Sequence, residues 1–105
     1  MIREFIITEP KPSYAQWFIE VDLSVWLGSE TIDSVDFKAK QISDGLDVSN
    51  VVLDATKSAF TGTVLKPFIR GGVSGRSYIA IMKVITNSVS VVKDEFYIRF
   101  SVQDK

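Results

Sequence analysis

The sequence contains no histidine and no cysteine, and these two absences exclude most of the common catalytic and metal-binding chemistries. Without cysteine the chain has no disulfide, no thiolate nucleophile and no cysteine-ligated metal. Without histidine it has no Ser-His triad, and it lacks both the commonest general base and the usual ligand of zinc and copper. Catalysis by a pair of carboxylates, as in glycoside hydrolases, is not excluded by composition.

The chain also lacks a dominant charge and a long apolar segment. Its 12 basic and 13 acidic residues leave a net charge of −1, so there is no electrostatic footprint for nucleic acid or an anionic membrane. No segment approaches the roughly 18 apolar residues of a membrane-spanning helix, and the N-terminus, with an acid at Glu4, does not resemble a signal peptide. We therefore expect one cytoplasmic domain, residues 1–105, that binds neither nucleic acid nor membrane.

Apolar and polar residues alternate over most of the chain, which is the pattern of β-strands. The last third is the most regular, and residues 60–70, 78–86 and 94–102 are predicted to form three consecutive strands joined by tight turns. Residues 78–86 are apolar at nearly every position, so this strand is expected in the middle of a sheet with both faces covered. Residues 94–102 alternate cleanly and should cover the core with one face.

The first two thirds of the chain add four predicted strands. They are residues 3–8, placed at a sheet edge, and residues 16–23, 31–40 and 48–55. About seven strands without a long helix predict an all-β fold, namely an antiparallel β-sandwich. The side chains expected to be mostly buried are Trp17, Ile19, Val21, Phe37, Ile81, Phe96, Ile98 and Phe100.

Residues 22–28 interrupt the strand pattern and predict one short helical turn near residues 23–27. Asp22 or Ser24 can cap its start, and Gly28 suits the left-handed conformation that ends a helix. Trp26 has two interpretations: a hydrophobic plug over one end of the core, or an exposed platform on which a ligand stacks. Because large aromatic side chains are usually buried, we favour the plug.

A glycine-rich segment, residues 71–76 (GGVSGR), lies between two predicted strands. With an arginine on either side, its backbone N–H groups could cradle a phosphate. The segment lacks the lysine and the helix of a P-loop, and Ser74 has no histidine to activate it. Since glycine supplies the positive φ that turns between strands need, we interpret the segment as a turn.

Acidic residues occur in close pairs, at positions 20 and 22, 33 and 36, 44 and 47, and 94 and 95. The first pair falls on the polar face of a predicted strand and the third flanks a turn, so a solvated surface explains them best. A calcium site at Asp44, Asp47 and Asn50 is a less favoured alternative, because the spacing matches no EF-hand loop. We therefore predict no catalytic residue, no metal and no other cofactor, and a protein that is not an enzyme.

Two segments of the chain carry a recognisable combination of motifs. Residues 22–32 (DLSVWLGSETI) resemble D-W-S-x-W-L-G-x-D-T-I, and residues 71–79 (GGVSGRSYI) resemble G-G-x-x-G-x-x-Y-x-V. With residues 94–100 they make the chain similar to the small immunoglobulin-like structural proteins of tailed bacteriophages and prophages. The chain departs from the motifs at Leu23 and Glu30, and its last turn, residues 87–92, lacks the family's glycine. The matching positions are Trp26, Leu27, Gly28, Thr31, Ile32, Gly71, Gly72, Gly75 and Tyr78.

The resemblance implies an immunoglobulin-like sandwich and a non-catalytic role in the virion, at the neck, tail or head. Its partners would be other virion proteins or further copies of the chain, met in the host cytoplasm during assembly and kept in the virion. An isolated subunit can be monomeric, because assembly contacts are weak singly. Residues 3–8 and the pair Tyr97 and Arg99 are the candidate interface. The alternative function is a carbohydrate-binding or adhesion module, which exposed aromatic side chains would serve.

Overall fold

A computed structural model describes residues 3–54, 56–87 and 93–104 of the chain. Strands predominate in these residues, which confirms the prediction of an all-β protein with a short helical turn near residues 23–27. Apart from Asn87, the predicted last turn lies outside the described residues. The elements are β1 Glu4–Ile6, β2 Trp17–Phe18, β3 Val21–Asp22, α1 Ser24–Leu27, β4 Thr31–Gln41, α2 Ser49–Val52, β5 Ala59–Thr61, β6 Val64–Lys66, β7 Phe68–Ile69, β8 Arg76–Asn87 and β9 Lys93–Val102.

Four strands form the larger sheet, in the order β1-β9-β8-β4. β8 pairs antiparallel with both β4 and β9, whereas β1 pairs parallel with β9. β8 and β9 are 12 and 10 residues long, and neither contains a glycine or proline that would interrupt the strand. β1 lies at one edge of the sheet, as predicted for residues 3–8, and β4 forms the other edge.

The other five strands form two small antiparallel sheets, β2-β7 and β3-β6-β5. β2 and β3 are consecutive pieces of one segment, and β6 and β7 are pieces of its partner, which Pro67 interrupts. The Ile19 N–H donates to the Pro67 carbonyl oxygen at 3.0 Å, so the hydrogen bonding continues across the interruption. Counting each interrupted segment once reduces the nine strands found in the described residues to seven. This order is compatible with the immunoglobulin-like topology, which stays a prediction.

Apolar side chains from both groups of strands form one buried core. Ile81 was expected in it, but this is wrong, because Ile81 lies on the opposite face of β8 and is partly exposed. Three other expected members are only partly buried. Trp17 and Phe37 lie in edge strands, and Ile19 lies in the short connection between β2 and β3. The remaining expected members are buried: Val21, Phe96, Ile98 and Phe100.

Residues 60–70 form a hairpin and a broken strand, and not the single strand that their alternation predicted. β5 and β6 pair with Thr61 opposite Val64, which leaves Gly62 and Thr63 as a two-residue turn. Gly62 has a φ of +59°, and Thr63 is not among the residues with positive φ. This is the arrangement of a type II′ turn, whose first central residue is glycine. The prediction was wrong because one glycine in an alternating segment reversed the chain.

Residues 48–55 were predicted as a strand, and this is wrong for most of the segment. α2 occupies Ser49–Val52, and Leu53 alone forms a β-bridge, to Ile69. The Asp47 carboxylate accepts hydrogen bonds from the Ser49 N–H at 2.9 Å and from the Ser49 hydroxyl at 2.7 Å. This local side-chain bonding turns the backbone into a helical conformation and overrides the β propensity of the valines.

Candidate functional site

β8 has one face in the core and one face toward solvent. Toward the core, alternate residues from Tyr78 to Thr86 are buried. On the other face Ile79, Ile81 and Ile85 are only partly buried, and none of them belongs to the buried core. The expectation that this strand is covered on both faces is therefore wrong within the described residues. A stripe of isoleucines in the middle of the sheet is left accessible to a partner.

The strand register places polar and charged side chains on both sides of this stripe. Directly paired residues of neighbouring strands lie on the same face of a sheet, and Ile81 is paired with Lys38 in β4 and Tyr97 in β9. An apolar centre within a polar rim is the usual anatomy of a protein-binding surface. We call this surface the outer face. Its members are Glu4, Ile6, Ser34, Asp36, Lys38, Lys40, Ile79, Ile81, Lys83, Ile85, Lys93, Glu95, Tyr97 and Arg99.

Hydrogen bonds and ion pairs hold the rim of the outer face in place. The Tyr97 hydroxyl donates to Glu95 at 2.6 Å, and this bond raises the pKa of Tyr97 above its usual value. The Arg99 guanidinium donates to the Glu4 carboxylate and joins β9 to β1. The ammonium nitrogen of Lys83 lies 3.9 Å from a carboxylate oxygen of Glu95. Tyr97 and Arg99, the predicted interface residues, therefore lie together on the outer face, in positions fixed by their neighbours.

The outer face contains an open recess of about 800 Å³ beside β8. Ile85 and Tyr97 contribute apolar surface to its lining, and Asp36, Lys83 and Glu95 contribute charges of both signs. Tyrosine and charged side chains around an apolar pocket commonly receive a single anchoring side chain of another protein. The recess is thus part of the outer face.

The first sequence motif closes one end of the core. Leu27 and Ile32 are buried, and the Trp26 ring packs edge-to-face on the Phe96 ring with 5.2 Å between their centres. Trp26 is partly buried, so its geometry favours the plug interpretation over a flat exposed platform. Gly28 ends α1 with a φ of +64° and a ψ of −117°. Its positive φ favours glycine, but its ψ lies outside the left-handed helical region that was predicted.

In the glycine-rich motif the backbone packs closely against neighbouring atoms, beside the end of β9. A Cβ atom on Gly71 would lie 2.8 Å from a backbone carbonyl oxygen, and one on Gly72 would lie 2.7 Å from a methyl group of Val102. The Val73 N–H donates to the hydroxyl of the buried Tyr78 at 2.9 Å, which fastens the turn to β8. The motif therefore has a structural explanation that requires no ligand.

Both arginines beside these glycines already have partners within the chain. Arg70 lies 3.3 Å from the carboxylate of Asp54, and Arg76 donates to the side-chain oxygen of the buried Gln41 at 2.9 Å. A phosphate would have to displace these contacts. The geometry supports the interpretation of the segment as a turn.

The two motifs do not form one site. Trp26 lies beside Thr86 near the C-terminal end of β8, whereas Gly75, with a φ of +88°, leads into its N-terminal end. A 12-residue strand is roughly 40 Å long at about 3.4 Å per residue, so the motifs are far apart. Thr31 begins β4 and is exposed. The outer face occupies the surface between the two motifs.

A buried lysine is one feature that sequence reasoning missed. Lys11 is fully buried, and its ammonium group donates to the Pro12 carbonyl oxygen at 2.7 Å. Burial lowers the pKa of Lys11, and the nearby carboxylate of Asp104 partly opposes this shift. Asp104 also accepts a hydrogen bond from the Ser13 N–H at 2.8 Å. No periodic pattern marks a single lysine between prolines as buried, so its burial could not be predicted from the sequence.

The acidic residues considered for calcium hold turns in place. Asp44 accepts a hydrogen bond from the Leu46 N–H, as Asp47 does from Ser49. In residues 3–54, 56–87 and 93–104 there is no group of three or more histidine, cysteine, aspartate or glutamate side chains that could hold a metal ion. None of the helices described is long and apolar enough to cross a membrane.

Comparison with protein families connects this geometry to a phage particle. Residues 11–99 match the model of the family described as podophage GP4 fiber-tail adaptor protein gp77. The chain belongs to this family. The match confirms the resemblance to small phage structural proteins and makes the chain a structural protein of the phage tail. It spans both sequence motifs and most of the outer face. No curated protein and no solved structure was found to match the chain.

Proposed function

We propose that the protein is a non-catalytic adaptor that joins a tail fibre to the tail of a podophage, with the outer face as its main contact surface. The match to the fibre-tail adaptor family over residues 11–99 carries this proposal. The outer face supports it, because a strand that is apolar on both faces is normally covered on both. An adaptor needs binding surfaces and no reaction centre.

The isoleucine stripe is suited to a contact that forms during assembly. Fully burying one isoleucine side chain contributes about 1.5–3 kcal/mol, and each of Ile79, Ile81 and Ile85 contributes less because it is already partly covered. The charged rim determines the orientation of the partner more than the strength of binding. Contacts of this size are weak singly and become strong when several copies bind one assembly.

Substitution of Ile81 by aspartate tests the proposal. Ile81→Asp places a carboxylate at the centre of the stripe, where burial by a partner would leave it unpaired. We expect particles produced with this variant to carry far fewer fibres, or to lack the adaptor, when their protein composition is measured by quantitative mass spectrometry. The isolated variant should unfold at nearly the parental temperature, since this side chain lies outside the core.

Val25→Asp is the matched control, because Val25 is an apolar residue with 89% exposure that lies in α1, away from the outer face. It should leave both the adaptor and the fibres at parental levels. Absence of the wild-type chain from intact particles would refute the adaptor role itself. Normal fibre content with Ile81→Asp would instead refute the assignment of the outer face.

A further inference from the structure

β4 is an edge strand whose two ends are covered and whose middle is not. At its start, the Ile32 N–H donates to the Gly62 carbonyl oxygen at 3.3 Å. At its end, the Gln41 N–H donates to the Leu46 carbonyl oxygen at 2.9 Å. Between these points no described strand pairs with residues 33–38 on the side away from β8. Exposed strand edges of this kind are templates for pairing with another chain.

The direction of the free backbone groups follows from the hydrogen bonds of Ala39. Its N–H donates to the Ser49 hydroxyl at 2.9 Å and its carbonyl oxygen accepts from the Val48 N–H at 3.0 Å, so both groups point away from β8. Because this orientation alternates along a strand, the N–H and C=O of Val35 and Phe37 point the same way. Within the described residues these four groups have no hydrogen-bond partner on that side.

The side chains of the same segment indicate what an added strand would carry. Val35 and Phe37 pack against the core but stay partly exposed at the edge, so a neighbouring strand with apolar residues beside them would complete their burial. Asp36 lies between them on the outer face and is exposed. It is directly paired with Lys83 of β8, and the side toward the free edge carries no described charge opposite it. A basic side chain opposite Asp36 would be electrostatically complementary.

A second copy of the chain is a poor occupant of this edge. The two-fold antiparallel pairing that uses all four free groups places Val35 opposite Phe37 of the other copy, and therefore Asp36 opposite its own equivalent. Like charges directly opposite each other destabilise a strand pair. Moving the centre of pairing to Phe37 would place Val35 opposite Ala39, whose free side Val48 and Ser49 already occupy.

We propose that the edge of β4 receives an extended segment of a different virion protein by strand addition. The segment has an apolar-basic-apolar pattern, with the basic residue opposite Asp36 and the apolar residues beside Val35 and Phe37. Backbone hydrogen bonds then supply affinity, and the alternating side chains supply specificity. The identity of the partner as a virion protein rests on the proposed function, whereas the site and the mode of binding rest on the edge itself.

Photo-crosslinking in assembled particles tests this proposal directly. A benzoylphenylalanine residue replaces Lys38, which is exposed and next to the free edge, and a control particle carries it at the exposed Glu20. We expect the probe at position 38 to crosslink to one segment of a non-identical virion protein, and this segment to contain the predicted pattern. Crosslinks only to other copies of the chain, or no crosslink at position 38, would overturn strand addition.

Two variants provide an independent measurement. Asp36→Lys should reduce the copies of partner per particle by about tenfold, because a repulsive pair replaces an attractive one. Val35→Pro removes an N–H that points away from β8, so no hydrogen bond to β8 is lost, and proline is tolerated at such positions of edge strands. We expect this variant to reduce the copies of the partner to a similar extent. Glu9→Lys is the control, because it reverses the charge of an exposed side chain for which no hydrogen bond or ion pair is described. It should leave the copies of the partner unchanged. Thermal melts of each isolated variant verify folding.

The outcomes separate the two proposals. One outcome is that particles with Ile81→Asp lose the partner protein, whereas particles with Asp36→Lys or Val35→Pro keep as many copies as the Glu9→Lys control. The adaptor role would then stand and strand addition would be wrong. If the wild-type chain is absent from particles, the adaptor role is wrong.

Discussion

At the scale of single residues, aromatic side chains join the two ends of the core to the long strands. Trp26 packs edge-to-face on Phe96 in β9, and Tyr78 in β8 stacks on Phe100 with 5.6 Å between ring centres. Such pairs add about 0.5–1.5 kcal/mol beyond the burial of their surface. The tyrosine hydroxyl also accepts the hydrogen bond that holds the glycine-rich turn. Each of the two sequence motifs therefore contributes an aromatic residue that lies in the core or packs against it.

Trp26→Ala tests whether the tryptophan is structural. Losing a buried large aromatic typically costs about 3–5 kcal/mol, and because Trp26 is only partly buried we expect the lower end of this range. Chemical denaturation measures the free energy of unfolding. Val25→Ala in the same helical turn is the control and should lie within about 0.5 kcal/mol of the parent. An unchanged stability of Trp26→Ala, together with lost binding of a ligand, would restore the stacking-platform interpretation.

At the scale of elements, the short turns between strands are built by aspartates that bond two residues ahead. Asp22, Asp47 and Asp54 each accept a hydrogen bond from the backbone N–H of the serine or threonine at that position. The hydroxyl hydrogen bonds of Ser49 and Thr56 are the main cause of a lowered pKa at Asp47 and Asp54, and the Ser24 N–H is the main cause at Asp22. The pKa of each of these three carboxyls is thereby held below the usual 3.8. The repeated Asp-x-Ser/Thr pattern is readable in the sequence, and its tendency to form turns could have predicted α2.

The lowered pKa values predict a loss of stability in acid. A carboxyl with a lower pKa in the folded state contributes stability that is present above the unfolded value of 3.8 and is lost as the pH falls through the folded value. Asp47→Asn should therefore lower the melting temperature at neutral pH and have little effect at about pH 2. Thermal melts across this range measure the difference.

Ser49→Ala provides the second arm of this test, because its hydroxyl is the main cause of the lowered pKa of Asp47. In a double-mutant cycle, Asp47→Asn should have a smaller effect on the Ser49→Ala background than on the parent. Equal effects on both backgrounds, or a difference that persists in acid, would show that this hydrogen bond does not stabilise α2.

At the scale of the whole molecule, the protein is elongated, with one long axis and two shorter axes of similar length. Its principal extents are 48 × 26 × 22 Å, and the outer face runs along β8, the longest strand. One edge of the larger sheet is the short β1, and the other is the partly open β4. The apolar outer face and the free edge of β4 lie side by side along the long axis. They allow two different contacts at once, which an adaptor requires.

The isolated subunit is predicted to be a monomer. Its apolar stripe is narrow and flanked by charges. If two copies paired along β4 through the free N–H and C=O groups of Val35 and Phe37, the two Asp36 carboxylates would lie directly opposite each other and repel. Sedimentation equilibrium at micromolar concentration should give the mass of one chain, and small-angle scattering should give a size consistent with the Cα radius of gyration of 13.9 Å. A stable dimer at these concentrations would contradict the expected repulsion between two copies of Asp36 and would favour a second copy of the chain as the partner of the β4 edge.

The sequence by itself determined the strand-dominated fold, the helical turn that ends at Gly28, and the lack of histidine and cysteine chemistry. These features depend on local periodicity and residue type, which act over a few neighbouring positions. It also indicated Tyr97 and Arg99 as candidate interface residues of the last strand, and both lie on the outer face. The strands predicted from alternation over residues 60–70 and 48–55 were wrong. In the first, Gly62 forms a turn, and in the second, the Asp47 carboxylate favours the helical turn α2.

Only the tertiary structure decided which apolar residues of β8 are covered, which edge is open, and that Lys11 is buried. Alternation with a period of two divides a strand into two faces, but it does not show what packs against either face. Cover comes from residues distant in the sequence, such as β3 and β6 over the core side of the sheet. Ile81 and Met82 are adjacent apolar residues of the same strand, and the second sheet packs against the side of β8 that carries Met82, so Met82 is buried while Ile81 stays partly exposed.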